Sequence, residues 1–188
     1  MRPVLPFYMA LGLAKKQFHV FSDASGGIGL GGFAFFRNEI QYWCITFKEL
    51  LQRYNKKPDF FVEDPSTSIQ MKEMLSLAFN VECFGEHAGS DVALCMNTDN
   101  LGLAANLAKF RAKHDNFTND LIIWIYLYSL AYNILMVPYH KFREVNVEAD
   151  LLSKNKIGEF YALCRSKYQH LTPIRVFPNY AKVFDLNI

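Results

Sequence analysis

The sequence has little of what marks a secreted or disulfide-stabilised protein. Its four cysteines, Cys44, Cys83, Cys95 and Cys164, form no Cys-x-x-Cys pair and have no histidine at zinc-ligand spacing. We interpret them as reduced, mostly buried thiols of an intracellular protein, in the cytoplasm or the nucleus. Two prolines interrupt residues 1–6, so the chain does not open with the apolar core of a signal peptide.

An excess of charge of one sign is also missing. The chain of 188 residues carries 20 Lys and Arg against 18 Asp and Glu, a formal net charge of +2. This excess permits a nucleic-acid partner without demanding one. Hydrophobic residues make up 51% of the sequence and aromatic residues 15%, which excludes a disordered chain. The length suits one domain with a small extension.

One long apolar run resembles a membrane span. It extends from Leu121 to Val137, just under the length that crosses a bilayer, and Pro138 follows it directly. We divide the run into a helix from about Thr118 to Tyr132 and a buried strand from about Ile134 to His140. We therefore expect no membrane partner.

The remaining hydrophobic pattern predicts a mixed α/β fold. The predicted elements are, in order, a three-stranded antiparallel meander (18–22, 29–36 and 40–46), helix 68–84, strand 91–98, helix 101–109, helix 118–132, strand 134–140 and a final helix. Residues 48–68 are polar and carry two prolines, and we interpret them as an irregular insertion or lid. The acidic residues of that segment, Asp59, Glu63 and Asp64, are not candidate site residues.

Four other acidic residues lie in distinct local patterns. Asp23 ends a strand before Ala-Ser-Gly-Gly, Glu73 lies among apolar residues of a helix, Asp99 ends an apolar strand, and Asp150 begins the final helix. Each pattern alone has an ordinary alternative: a capped hairpin turn, a solvated helix-flank glutamate or a helix cap. Gathered at one sheet edge, however, the carboxylates would repel one another unless divalent cations lay between them.

Taken together, these patterns resemble the ribonuclease H family, specifically the domain that follows reverse transcriptase in retroelement polyproteins. The resemblance runs from about Gln17 to about Lys156. The helix around Glu73 is similar to the family's Glu-Leu-x-Ala-Leu helix. His140 and Asn146 precede Asp150 by ten and four residues, which resembles the family's loop before its last helix.

The resemblance implies an α/β ribonuclease H-like fold, with a mixed sheet of antiparallel and parallel strands flanked by helices. It places a lead-in at 1–16, the domain at 17–160 and a C-terminal extension at 161–188. It also implies that two Mg²⁺ ions, replaceable by Mn²⁺, are held by the four carboxylates while His140 assists proton transfer or product release. The implied substrate-binding residues are Ser25, Gly26, Gly27, Asn100 and Asn146.

The implied reaction is endonucleolytic cleavage of the RNA strand of an RNA-DNA hybrid, with a reverse transcriptase domain of the same polyprotein as a possible partner. Two departures from the family stand in the last motif, where Phe142 replaces a glycine and Lys154 replaces an arginine. A 3′-5′ exonuclease would have Glu at the position of Ser25, and an integrase would order its acids differently. The alternative of another class is an inactive ribonuclease H-like module that only binds or packs beside a polymerase.

Overall fold

An antiparallel meander begins the described part of the chain. The computed structural model describes residues 16–53, 69–89, 92–109 and 116–185. The meander consists of β1 (Lys16–Ala24), β2 (Gly29–Phe36) and β3 (Glu39–Thr46). Arg37 makes the tight turn between β2 and β3 with a positive φ of 41°. The predicted meander is confirmed.

Three further strands complete a mixed sheet. β4 (Val92–Thr98) pairs parallel with β1, β5 (Ile134–His140) pairs parallel with β4, and β6 (Thr172–Arg175) pairs parallel with β3. The described strands are ordered β5-β4-β1-β2-β3-β6. Because β1, β4 and β5 are parallel, their carboxyl ends meet at one edge of the sheet. The strand order and the flanking helices confirm the predicted ribonuclease H-like fold.

Seven α-helices lie in the described ranges. They are α1 (Phe47–Arg53), α2 (Ile69–Ala88), α3 (Leu101–Ala108), α4 (Asn116–Tyr132), α5 (Val147–Ser153), α6 (Ile157–Lys167) and α7 (Tyr180–Phe184). The predicted helices 68–84, 101–109 and 118–132 correspond to α2, α3 and α4. Helix α4 begins two residues earlier than predicted, at Asn116.

The interpretation of residues 48–68 as irregular is wrong at its start, where α1 forms. The backbone N–H and hydroxyl of Thr46 donate to the Glu49 carboxylate at 2.9 and 2.8 Å, and the Glu49 N–H donates back to the hydroxyl at 3.1 Å. This reciprocal arrangement is a capping box, which satisfies backbone donors of the first helical turn. Leu50 then buries the helix against the core. The rest of the segment, 54–68, lies outside the described residues.

The apolar run 121–137 is divided between α4 and β5, as predicted. Trp124 and Tyr128 of α4 belong to the main core, which fills the space between this helix, α2 and the sheet. The opposite face of α4 exposes Ile123, Leu127 and Leu130. Within the described ranges, no helix has both the length and the apolar composition needed to cross a membrane.

The C-terminal residues pack against the sheet and α2. Helix α6 crosses the predicted boundary at residue 160, and β6 extends the sheet beside β3. Tyr180 of α7 packs edge-on against Phe79 of α2, with ring centroids 4.8 Å apart. These contacts give the extension a place in the same core, while the domain boundaries themselves stay a prediction.

Candidate metal centre

Three of the four predicted carboxylates meet at the carboxyl edge of the parallel strands. Asp23 lies near the end of β1 and Asp99 directly follows β4. Phe21 and Asn97 are opposite one another in the β1–β4 register, so the two aspartates, each two residues further on, leave neighbouring strands at the same level. Glu73 reaches them from α2. One carboxylate oxygen from each of the three lies within 4.8 Å of the other two.

The helix that carries Glu73 is fixed to the strand that carries Asp23. The buried hydroxyl of Ser76 on α2 donates to the backbone oxygen of Asp23 at 3.0 Å, and it also lies 3.2 Å from the backbone oxygen of Gly31. Ser76 and Glu73 are three residues apart, so they share one face of the helix. The contact of Ser76 therefore fixes the position of Glu73 along the strand that carries Asp23.

Burial puts two of these carboxylates in an unfavourable environment. Asp23 and Glu73 are each only 4% exposed. Burial, and then the nearby Asp23 and Asp99, raise the pKa of Glu73 to about 9 against the opposing hydrogen bond from the Ala24 N–H. One Glu73 oxygen, Oε2, has no hydrogen-bond partner among the described residues. Burial also raises the pKa of Asp23, although the Ser153 hydroxyl donates to its carboxylate and opposes the shift.

This donor set fits a hard divalent cation. Mg²⁺ and Mn²⁺ prefer oxygen ligands, and all three side chains offer carboxylate oxygens. A buried acceptor without a partner costs free energy that a cation between the carboxylates would offset. The unpaired Oε2 of Glu73 is the feature that separates this cluster from an ordinary group of surface acids.

Asp150 lies beside the cluster with cationic partners of its own. Its carboxylate is 2.8 Å from Lys154 Nζ and 3.4 Å from Arg143 Nη2. Helix α5, which carries Asp150, packs directly on β2: a Cβ added at Gly31 would lie 2.5 Å from the Cβ of Leu152. A glycine is required there for the helix to come this close. Asp150 is not one of the three residues whose oxygens group together.

Arg143 joins Asp150 to Asp99 and was missed in the sequence. It lies in a short 3₁₀ turn, Arg143–Val145, and its side chain is 70% exposed. Its Nε is 3.9 Å from Asp99 Oδ2 while its Nη2 contacts Asp150. The sequence shows an arginine between His140 and Asp150. No local spacing, however, indicates that its side chain contacts two carboxylates from different elements.

His140 and Asn146, the other predicted residues of this loop, have different surroundings. His140 ends β5 at the same sheet edge, is exposed, and packs edge-on against Phe142 with ring centroids 5.7 Å apart. Asn146 is only 1% exposed, and its amide donates to the Ser22 backbone oxygen at 3.1 Å. Asn146 therefore ties the loop to β1, and within the described ranges its Oδ1 has no hydrogen-bond partner.

The remaining predicted residues form the two turns around the cluster. The Ser25 hydroxyl accepts from the Ile28 and Gly29 N–H groups at 2.8 Å each, which closes the turn after β1. Gly26 and Gly27 are exposed at its tip, and no atom of the residues that the structure describes lies within 4 Å of an added Cβ. Asn100 caps α3 by accepting from the Leu103 N–H at 3.0 Å. The contacts of Ser25 and Asn100 thus give these two predicted residues local structural roles. The turn backbone at Gly26 and Gly27 is open to a ligand.

No protein-family model matches the chain, and neither does any curated protein. Among solved structures, the chain is similar to LC11-RNase H1, isolated from compost by a metagenomic approach, at 16% sequence identity and a TM-score of 0.47. The match covers 80% of this chain and 99% of that one. The ribonuclease H-like fold rests on the chain's own strand order and flanking helices.

Proposed function

We propose that this protein is a metal-dependent endoribonuclease that cleaves the RNA strand of RNA-DNA hybrids. The observation that carries the proposal is the buried Glu73, whose Oε2 lacks a partner in the described part of the chain although it lies beside Asp23 and Asp99. The resemblance of the four acidic motifs to ribonuclease H supports the choice of reaction. The fold and the motif order agree with it.

Asp23, Glu73 and Asp99 would hold the cation, with Asp150 completing a site for two Mg²⁺ ions that Mn²⁺ can replace. When bound, the ions supply Lewis-acid activation of a water molecule and stabilisation of the leaving 3′-oxygen. The chain's own residues orient this site: Ser153 donates to the Asp23 carboxylate, and Ser76 fixes the Asp23 backbone. The expected products carry 5′-phosphate and 3′-hydroxyl ends.

The substrate would approach from the exposed side of the carboxylates. There the open turn at Gly26 and Gly27 presents backbone groups that can contact the 2′-hydroxyls distinguishing RNA from DNA. The Lys72 ammonium donates to the Gly26 oxygen at 2.6 Å and holds this turn beside α2. His140, exposed at the same edge, would assist proton transfer or product release. Asn146 would act by holding the loop between His140 and Asp150.

The resemblance also supports a place in a retroelement polyprotein, where a reverse transcriptase domain produces the hybrid. In that setting the enzyme would act in the cytoplasm or the nucleus. The alternative is a module of the same fold that binds nucleic acid or a polymerase without cleaving. The unpaired, buried Glu73 favours the enzyme, because a purely structural module gains nothing from the desolvation of that carboxylate.

Incubation of the chain with an end-labelled RNA-DNA hybrid in Mg²⁺, in Mn²⁺ and in EDTA tests the proposal. We expect cleavage of the RNA strand with either cation and none in EDTA. Parallel reactions with single-stranded RNA and with a DNA duplex check the substrate class. Hybrid binding without cleavage in any cation would instead support the non-catalytic module.

A further inference from the structure

We propose that Arg143 is a built-in counter-ion for Asp99 and Asp150, one that a divalent cation must displace from these carboxylates. This inference rests on the proposed metal site and deepens it. It predicts that removal of Arg143 tightens cation binding, the opposite of what removal of a ligand or of a structural residue would do.

The first support is the position of the guanidinium. Its Nε is 3.9 Å from Asp99 and its Nη2 is 3.4 Å from Asp150, so one side chain contacts two carboxylates that belong to different elements. A cation bound between Asp99 and Asp150 would require the same carboxylate oxygens. Two positive groups cannot share these oxygens at close range without repulsion, so binding of one opposes binding of the other.

The second support is the way the loop is held. The Lys141 N–H donates to the Thr98 backbone oxygen at 2.8 Å, and the Asn146 amide donates to the Ser22 oxygen at 3.1 Å. The loop is thus tied on either side of Arg143 to the ends of β4 and β1, the strands that lead to Asp99 and Asp23. The backbone places the guanidinium at the site, while a side chain that is 70% exposed keeps the freedom to leave it.

The neighbouring Lys154 differs from Arg143 in the position of its partner. It lies one helical turn from Asp150 on the same helix and pairs with that carboxylate at 2.8 Å. Arg143 bridges the strand side and the helix side of the site. Arg143 therefore contacts both carboxylates, and it is the group that a cation bound between them must displace.

Calorimetric Mn²⁺ titration of the full chain tests this role with the variants R143Q, R143K and K141Q. We expect R143Q to bind Mn²⁺ roughly two- to fivefold more tightly, the range expected from loss of an exposed competing ion pair. R143K should fall between R143Q and the parental chain, because it keeps the charge without the planar fork. K141Q is the control, since Lys141 lies over the Tyr139 ring, 6.0 Å from its centroid. It should match the parental chain.

A salt series and thermal melts separate this role from a structural one. The affinity gap between R143Q and the parental chain should narrow as ionic strength rises, because an exposed guanidinium is screened. Mn²⁺ should raise the melting temperature of R143Q by more than that of the parental chain. Equal or weaker Mn²⁺ binding by a folded R143Q would overturn the proposal. If R143Q binds more tightly but the parental chain does not cleave hybrid, the counter-ion role stands and only the cleavage proposal fails.

Discussion

The two sides of the acidic site are built differently. On the inner side, Asp23 and Glu73 are buried and receive hydrogen bonds from uncharged donors, the Ser153 hydroxyl and the Ala24 N–H. On the outer side, the side chains of Asp99 and Asp150 are 17% and 21% exposed and contact Arg143, while Asp150 also contacts Lys154.

This difference teaches that the driving force for cation binding differs across the site. On the inner side, a cation relieves the desolvation of carboxylates that otherwise favour their protonated form. On the outer side, it replaces cationic side chains that already neutralise the carboxylates. The inner pair should therefore contribute most of the affinity for the cation. The outer pair should determine how strongly the cationic side chains compete with it.

The largest effect is expected from loss of a carboxylate of the proposed metal site. Asp23→Asn and Asp99→Asn should each lower hybrid cleavage below about one-thousandth of the parental rate, because each removes a charged ligand while keeping its shape. Single-turnover cleavage in Mg²⁺ measures this. The exposed Asp120→Asn on α4 is the matched control and should cleave at the parental rate.

Thermal melts in EDTA of the same variants sharpen the comparison between the two sides. Asp23→Asn should raise the melting temperature, because burial penalises the charge that the substitution removes. Asp99→Asn should raise it less, since that carboxylate is more exposed and contacts Arg143. Parental cleavage by both variants would show that the site is assigned wrongly.

The next largest effect concerns the protonation of Glu73. Its pKa is raised from 4.5 to about 9 in the metal-free protein, so the folded state holds this proton more tightly than the unfolded state. Its contribution to stability is therefore fully present below about pH 4.5 and is lost as the pH rises toward 9. The free energy of unfolding in EDTA should fall by at most about 1.4 kcal/mol per pH unit across this window. Glu73→Gln should flatten the decline.

The same proton should make cation binding pH-dependent. A cation that binds Glu73 below pH 9 must release the proton, so Mn²⁺ affinity should rise with pH by up to about tenfold per unit. Calorimetry in buffers of different ionisation enthalpy measures the proton released. An affinity that stays constant between pH 6 and pH 8 would contradict the inner-side argument.

A smaller difference is expected between the effects of substituting Asp150 and His140. Asp150→Ala should weaken Mn²⁺ binding by roughly 10- to 100-fold and slow cleavage, because it removes a ligand of the outer side. His140→Ala should leave Mn²⁺ affinity nearly unchanged and slow cleavage by roughly tenfold or less, below the 10²- to 10⁴-fold of full general acid-base catalysis. Mn²⁺ titration paired with single-turnover cleavage decides between them. Equal losses of affinity would make His140 a ligand.

The grouping of Asp23, Glu73 and Asp99 was readable from the sequence because these residues follow local rules. Asp23 lies near the end of one strand and Asp99 directly follows another, and adjacent parallel strands bring such residues to one edge. Glu73 lies among apolar helix positions, which indicates burial. The contacts of Arg143 with Asp99 and Asp150 depend on loop geometry that no periodicity encodes, so Arg143 was missed. The Asp150–Lys154 spacing, four residues on a helix, was a local signal of their ion pair that went unused.

The same distinction between local rules and tertiary contacts explains where the observed fold differs from the predicted one. Helix α1 was missed although Thr46 and Glu49 have the spacing of a capping box, because the prolines further along the segment favoured an irregular interpretation. Strand β6 has only four residues and includes Pro173, so it carries no pattern of its own. It forms because the edge of β3 offers it partners. Local rules could have predicted α1, whereas β6 depends on tertiary contacts.

The smallest effect is expected from Ser153, which acts on the inner side through Asp23. Its buried hydroxyl donates to the Asp23 carboxylate and holds the pKa of that group below the value that burial alone would set. Ser153→Ala should therefore raise this pKa further and, at a pH where Asp23 is partly protonated, weaken Mn²⁺ binding by roughly two- to tenfold, the worth of one hydrogen bond. The loss should shrink as the pH rises.

Ser76→Ala is the matched control for that change. Ser76 is as buried as Ser153 and also contacts Asp23. Its hydroxyl, however, donates at 3.0 Å to the backbone oxygen of Asp23 and not to the carboxylate. Both variants should lose a similar amount of stability in thermal melts, since each leaves a buried acceptor with one donor fewer. Only Ser153→Ala should lose Mn²⁺ affinity. If Ser76→Ala loses as much, the hydroxyl of Ser153 matters for packing and not for the charge on Asp23, and the inner side is tuned by burial alone.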